Sequence, residues 1–328
     1  MEIKNVFYLP SGRVFLAKIK NDFLIEFTEM RDVSIQVKEH IQVRNALDPH
    51  VIWKHLKDYD KKWLLTVSTQ KGCPHKCKFC DVGGLGFHGN LSVNEITNQI
   101  RFILEATPYV SKSKKVKIGF ARMGEPAHNL SNVLSVISNL HNISLNLNRK
   151  FNWLPCFNSI LPRRTIEKNS GFDVIDRVID MKENKYKGFL HFQLSINSTD
   201  EKKRKELFSG ADVLTLEEIV SYINKKNITN RSVTLNFIVM KGVEINIKKL
   251  IKLGLNKNKF VIKLIPLNNT IRRQTNQLET LANYQNYEKL EEIKLNFNKE
   301  GIPVVIDAIA KCEEAGLCCG QLAQIFQS

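Results

Sequence analysis

No stretch of the chain approaches the ~20 consecutive apolar residues that a helix needs to cross a bilayer, so the sequence predicts no transmembrane helix. The leading segment, Met1-Glu2-Ile3-Lys4-Asn5-Val6-Phe7, lacks the basic-then-apolar pattern of a secretory leader. The expectation is a cytoplasmic protein with no membrane association. Acidic residues are scarce: 33 Asp and Glu stand against 49 Lys and Arg, a formal net charge of +16. Such an excess speaks to partners rather than to fold, and it favours polyanions, with nucleic acid first. The basic runs (Lys112-Ser113-Lys114-Lys115, Lys202-Lys203-Arg204-Lys205, Arg272-Arg273) are dispersed, so they do not by themselves define a face. A hydrophobic content of 43% over 328 residues excludes wholesale disorder and suffices for one large α/β domain plus a small appendage.

Cysteines number seven, and three fall in Gly72-Cys73-Pro74-His75-Lys76-Cys77-Lys78-Phe79-Cys80. Three thiolates at C-x3-C-x2-C spacing can hold three corners of a [4Fe–4S] cluster, which normally takes four cysteines. The missing fourth ligand leaves one iron for a non-protein group. A zinc site or three unrelated buried thiols are the alternatives, but zinc favours paired Cys or Cys/His sets with four ligands, and the second pair is absent. The spacing of His75 and His88 does not make them ligands. The remaining thiols, Cys156, Cys312, Cys318 and Cys319, are numerically enough for an auxiliary cluster, though their spacing forms no compact motif.

The first 60 residues differ from the rest. Residues 13–17 and 23–27 alternate as short strands, which predicts a small β-rich extension or accessory domain over 1–60. From residue 61, β and α patterns take turns: strands near 63–68, 116–120, 151–160, 189–196, 232–240, 260–265 and 302–306, with helices near 93–105, 129–140, 172–181, 216–225, 247–253 and 284–298. Repeated βα units imply a parallel sheet with right-handed crossovers. The fold class is α/β, a partial (β/α)6 barrel over 61–307 followed by a tail over 308–328. Active residues of such barrels gather at the C-terminal ends of strands, where the cysteine loop would lie. There also falls Arg122-Met123-Gly124-Glu125-Pro126, after the strand at 116–120. Gly124 permits close backbone approach to a ligand, and Glu125 can accept a hydrogen bond from a cationic amine.

The combined pattern resembles the radical S-adenosylmethionine (SAM) superfamily, and within it the RlmN/Cfr family of adenosine methyltransferases. The resemblance rests on Val67-Ser68-Thr69-Gln70-Lys71-Gly72-Cys73, on Cys77-Lys78-Phe79-Cys80 and on Gly86-Phe87-His88-Gly89-Asn90-Leu91. It continues through Met123-Gly124-Glu125-Pro126-Ala127-His128-Asn129-Leu130, Leu194-Ser195-Ile196-Asn197, Leu264-Ile265-Pro266-Leu267-Asn268 and Cys319-Gly320-Gln321-Leu322. It implies a radical SAM barrel with Cys73, Cys77 and Cys80 on a [4Fe–4S] cluster. SAM would contact Gly124, Glu125, Ser195, Asn197 and Asn268. Cys319 would be the methyl carrier: one SAM methylates it, a second yields a radical that takes hydrogen from the S-methyl group, and the carbon radical adds to adenine. The implied partners are RNA (ribosomal or transfer) and a reducing electron donor such as flavodoxin or ferredoxin.

Three departures stand out. The family's resolving cysteine falls at Thr66, seven residues before Cys73, and a hydroxyl cannot act as a thiolate. Cys318, beside Cys319, and Cys312 are the substitute thiols in the tail, although vicinal cysteines form strained disulfides. Asn197 replaces a histidine, and residues 306–311 lack the family's basic character. An alternative is therefore a radical SAM enzyme derived from the family and acting on a small molecule or peptide.

Overall fold

The computed structural model describes residues 1–9, 12–31, 59, 61–282, 288–307 and 317–327. Ten strands form one sheet. Strands β1 (Glu2–Leu9), β2 (Gly12–Lys18) and β3 (Leu24–Arg31) make an antiparallel meander. Strand β3 then pairs antiparallel with β4 (Trp63–Thr66), matching Thr28 to Thr66 and Arg31 to Trp63. A separate hairpin, β5 (Gln70–Gly72) and β6 (Phe87–Asn90), frames the cysteine loop. Beyond β4 the pairing is parallel throughout: β7 (Val116–Gly119), β8 (Trp153–Ser159), β9 (His191–Ser195), β10 (Val233–Val239), β11 (Phe260–Pro266) and β12 (Val304–Ile306). The seven parallel strands are linked by six crossovers, the open (β/α)6 arrangement that the sequence predicts. Pro155 fits inside β8 because it precedes the first β9 pair, Cys156 with His191.

Helices α1 (Val93–Glu105), α2 (Leu130–Leu145), α3 (Gly171–Asp180), α4 (Glu201–Leu207), α5 (Leu216–Asn224), α6 (Ile247–Lys252), α7 (Ile271–Thr275) and α8 (Glu288–Lys299) fill the crossovers. A last helix, α9 (Gln321–Gln327), ends the chain. Three of them, α1, α3 and α5, start on reciprocal capping boxes led by Ser92, Ser170 and Thr215. Helix α1 buries Ile96, Ile100, Ile103 and Leu104 on one stripe. Gln99 interrupts that stripe and is fully buried; its amide accepts from Ser68 N–H at 2.8 Å and donates to Ser68 C=O at 3.0 Å, pinning the helix to the exit of β4. The helix predicted over 284–298 is observed from Glu288, and residues 283–287 lie outside the described set. Helix α4 has no apolar periodicity to announce it. It starts because the Asp200 carboxylate accepts from Lys203 N–H. Among the described residues no helix is long and apolar enough to cross a membrane.

Alternation along the strands separates two faces. Trp63, Ile118, Phe157, Phe192, Phe237 and Ile262 are buried against the helices. The opposite face is polar, and its side chains bond across strands: His191 with Thr234 at 2.8 Å, Gln193 donating to Cys156 Sγ at 2.5 Å, and Lys263 donating to Gln193 at 3.3 Å. Lys263 also pairs with Asp307 just past β12.

The N-terminal meander is tied to the barrel by a buried carboxylate. Glu29 on β3, with no exposed side-chain surface, accepts from Arg13 Nε at 2.7 Å and from Trp63 Nε1 at 3.0 Å. Arg13 reaches on to Ala106 C=O at the end of α1. Removing one member of a buried pair leaves the other charge uncompensated. Glu29→Ala is expected to destabilise the chain by roughly 3–5 kcal/mol, read by urea denaturation of the metal-free protein. A loss near zero would show that the meander does not depend on this pair.

Candidate active site

The cysteine loop is held open by backbone demands that glycine alone meets. Cys73 N–H donates to Gly86 C=O at 2.8 Å, and Gly72 has φ +69°. A Cβ on Gly72 would sit 1.8 Å from that carbonyl oxygen, so no side chain fits. Inside the hairpin, Cys77 is buried while Cys73 and Cys80 are half-buried. Burial first, and then the neighbouring thiols, push Cys73 and Cys77 above the ordinary thiol pKa. The three sulfurs therefore lie within electrostatic reach of one another. Backbone N–H groups of Val82 and Gly83 point at Cys80, and Arg272 attracts its negative form.

The far side of the barrel grips this loop. Arg272 donates to Cys77 C=O at 3.1 Å and to Lys76 C=O at 2.8 Å. Asp81, fully buried, accepts from Ile271 and Arg272 N–H at 3.1 and 2.8 Å. Thr270 donates to Phe79 C=O, Asn276 to Lys78 C=O, and Lys78 N–H to Leu207 C=O. The loop that follows β4 is thus clamped to the segments after β9 and β11.

Among the described residues no three His, Cys, Asp or Glu side chains converge tightly enough to hold a single metal ion. A cube of iron and sulfide holds its cysteines farther apart. Three mutually interacting thiols, desolvated and faced by N–H donors, fit three corners of such a cluster. Cys156 engages Gln193 and Asn158 inside the barrel, whereas Cys319 engages Arg122; Cys312 lies outside the described residues.

The Gly124-Glu125-Pro126 turn is woven into the hairpin by side-chain amides. Gln70 accepts from Glu125 N–H at 2.8 Å and donates to Asn90 Oδ1 at 2.7 Å. Asn90 donates to His128 C=O at 2.7 Å. Asn129, fully buried, donates to both Thr69 and Leu91 C=O at 2.7 Å. His128 meets His75 at 2.8 Å with the rings stacked, and burial holds both well below the usual imidazole range, at about 4, so both are neutral. Gly124 has φ +99°, and a Cβ there would strike Gln70 at 2.6 Å.

Glu125 itself is buried, with one oxygen accepting from Ala127 N–H and the other from Ile160 N–H, each at 3.0 Å. The Ser159 hydroxyl donates to the same carboxylate, so the side chain struts the end of β8 against the β7 turn.

The strand ends carry unmet polar atoms. Asn197, just past β9, has φ +64° and is buried; its Oδ1 accepts from Ile238 N–H at 3.2 Å, but its Nδ2 has no partner among the described residues. Asn236 on β10 likewise has an unpartnered buried Oδ1. Sequence reasoning missed Asn236, whose only signal was a polar residue at a strand centre. Orphaned buried amides of this kind need an explanation, and a polar ligand at the strand ends supplies one. Ser195, the half-buried last residue of β9, sits beside them. Asn268 is half-buried and gives its backbone carbonyl to Thr270 N–H and Arg273.

The C-terminal turn docks on the cysteine loop from the N-terminal side. Gly320 (φ +77°) packs so tightly on Val82 that a Cβ would lie 2.9 Å from its backbone nitrogen. Cys318 is buried and Cys319 half-buried. Arg122 Nη1 donates to Cys319 Sγ at 3.7 Å, while Nη2 donates to Leu317 and Cys318 C=O at 3.0 and 3.2 Å. Arg122 in turn pairs with Glu26 of β3 at 2.6 Å, and neither side chain is more than 3% exposed. Glu26 also accepts from Gly320 N–H at 3.1 Å and Ala323 N–H at 2.8 Å. Sequence reasoning found no chemistry in the first 60 residues; the one clue was a carboxylate inside the otherwise apolar Phe23-Leu24-Ile25-Glu26-Phe27. Thr66 faces Thr28, hydroxyl to hydroxyl at 2.5 Å.

Burial lifts the Glu125 pKa from 4.5 to about 7. A raised folded-state value means that stability from this group is full below about 4.5 and is lost as pH rises through about 7. The loss is on the order of 3 kcal/mol at most. Glutamine cannot ionise. The melting temperature of Glu125→Gln should therefore rise relative to wild type between about pH 5 and 7.5, then level off. A difference independent of pH would contradict this environment for Glu125.

No protein-family model matches the chain. A probable dual-specificity RNA methyltransferase RlmN from Leptospira interrogans is 30% identical over 231 residues, covering 68% of this chain and 58% of the relative. The protein of the same name from Phocaeicola vulgatus is 26% identical over 305 residues, covering 91% of this chain and 77% of the relative. The chain spans about six tenths of the length of the first curated relatives it matches. Among solved structures, a radical SAM methyltransferase from Sphaerobacter thermophilus superposes with a TM-score of 0.65 at 17% identity, over 97% of this chain and 80% of that one. At that identity the likeness concerns the fold.

Proposed function

We propose that this chain, which belongs to the RlmN/Cfr-like radical SAM family as a divergent member, is a radical SAM methyltransferase that methylates an adenine carbon in RNA by way of Cys319. The observation that carries the reading is the seat of the Cys318-Cys319-Gly320 turn directly on Val82, two residues past Cys80. That seat supports reading the family's methyl-carrier position and the cysteine triplet as parts of one site.

Cys73, Cys77 and Cys80 would hold a [4Fe–4S] cluster. SAM would lie along the Gly124 turn and the strand ends at Ser195, Asn197 and Asn268, where the unpartnered Asn197 Nδ2 and Asn236 Oδ1 are available. When bound, cluster and SAM supply the methyl group and one-electron reductive chemistry, fed by a flavodoxin or ferredoxin-like donor. The protein's part is placement and exclusion of water. The clamp on the cysteine loop by Arg272 and Asp81 would close one side of the site, and the C-terminal turn the other. An RNA partner agrees with the +16 charge. Single-stranded or extruded adenines expose the ring edge that such chemistry needs.

Thr66 cannot supply a thiolate, and its hydroxyl is engaged by Thr28. In this reading Cys318 takes the releasing part, being adjacent to the carrier. Incubating reduced protein with SAM and RNA, followed by nucleoside mass spectrometry, should give a methyladenosine with wild type and none with Cys319→Ala. Cys318→Ala should still methylate Cys319, a gain of about 14 mass units, but leave RNA covalently attached. Methyladenosine formed by Cys319→Ala would refute the carrier role. The Thr66 site also favours a second reading, a family-derived enzyme with a small-molecule or peptide substrate. S-methylation of Cys319 without any RNA product would select it.

A further inference from the structure

Arg122 and Glu26 are sealed from water, yet neither belongs to the residues that would hold the cluster or SAM. Besides its ion partner, Arg122 donates to the backbone and sulfur of the turn that carries Cys319. Glu26 accepts from the same turn at Gly320 and from the first turn of α9 at Ala323. Strand β3 and the β7 turn thus converge on the segment that carries Cys319. A buried ion pair is expensive unless its remaining hydrogen-bonding capacity is met, and here the C-terminal turn meets it. A guanidinium donating to a sulfur favours the thiolate, which is the nucleophile, over the thiol.

We propose that Arg122, anchored by Glu26, is a positioning residue that seats Cys319 on the cysteine loop and holds its sulfur as a thiolate ready for alkylation. Its role in methyl transfer rests on the reading of Cys319 as methyl carrier; the poised thiolate does not. Among the described residues, the charged and titratable groups facing the turn are Arg122 from the β7 turn, Glu26 from β3, and Asp81 from the cysteine loop, itself engaged by Ile271 and Arg272 N–H.

The test uses the full chain without SAM or RNA. Site-resolved mass spectrometry follows the rate at which iodoacetamide alkylates Cys319 as pH is varied; the thiolate displaces iodide, and the thiol proton goes to solvent. Wild type should show a midpoint at least one pH unit below the ~8.5 of free cysteine. Arg122→Gln should slow alkylation at about pH 7 by roughly tenfold, one unit of thiol pKa, and Arg122→Lys should restore most of it. A purely structural clamp predicts the opposite sign, because a released turn exposes Cys319 and speeds its reaction. Faster or unchanged alkylation in Arg122→Gln would overturn the proposal. Should Arg122→Gln not fold, a wild-type midpoint at or above ~8.5 would overturn it equally. RNA methylation does not enter this measurement, so a slow Arg122→Gln alongside absent methyladenosine would retain the poised thiolate and reject only the RNA reaction.

Discussion

A carboxylate on the third strand and a guanidinium on the β7 turn, both removed from solvent, hold the two ends of this chain together. The hydrogen bonds of Glu26 and Arg122 seat the Leu317–Gly320 turn over the cysteine loop. Five hydrogen bonds run from this pair to the C-terminal segment: to Leu317, Cys318, Cys319, Gly320 and Ala323. Each charge is thereby solvated by protein groups in place of water, the condition under which a buried pair is tolerated. The N-terminal meander, an added edge of three antiparallel strands, accordingly reaches into the chemistry of the barrel. Glu29 fixes that meander to Trp63 and α1, and Glu26, three residues earlier, faces the site.

The cysteine loop is built on the same logic of satisfied backbone. It crosses the mouth of the barrel as an irregular segment, and its carbonyls at Lys76, Cys77, Lys78 and Phe79 are taken by Arg272, Asn276 and Thr270. Gln70, Asn90 and Asn129 do the equivalent work between the hairpin and the Gly124 turn. Fixing loops this way sets the loop geometry through side chains outside the cysteine triplet. Rigid support of that kind is what a site needs when reactive groups must be held within a fraction of an ångström.

The parts legible in the sequence were those with a local backbone requirement. Gly72, Gly124 and Gly320 each stand where a Cβ would collide with a neighbouring segment, and the motifs around them therefore point to real contacts. The parallel strands were visible because their apolar residues recur at strand spacing and each run is bounded by turn residues. Glu26 paired with Arg122 was not legible, since the two lie 96 positions apart and nothing local predicts a buried carboxylate's partner. The same holds for Asn236 and for the charged helix α4, which forms on a cap rather than on an apolar stripe. For Glu125, expected from sequence to face a ligand amine, the structure shows two backbone N–H partners that make it a strut between β8 and the β7 turn.

The central claim is that three thiols held by this frame carry an iron–sulfur cube beside Cys319. Iron and acid-labile sulfide, counted per chain after anaerobic reconstitution, test it most directly. The account predicts about four of each in wild type and a large loss in Cys77→Ser, whose position is the most buried of the three. Wild-type protein that binds no iron, or that takes up a single zinc instead, would contradict it.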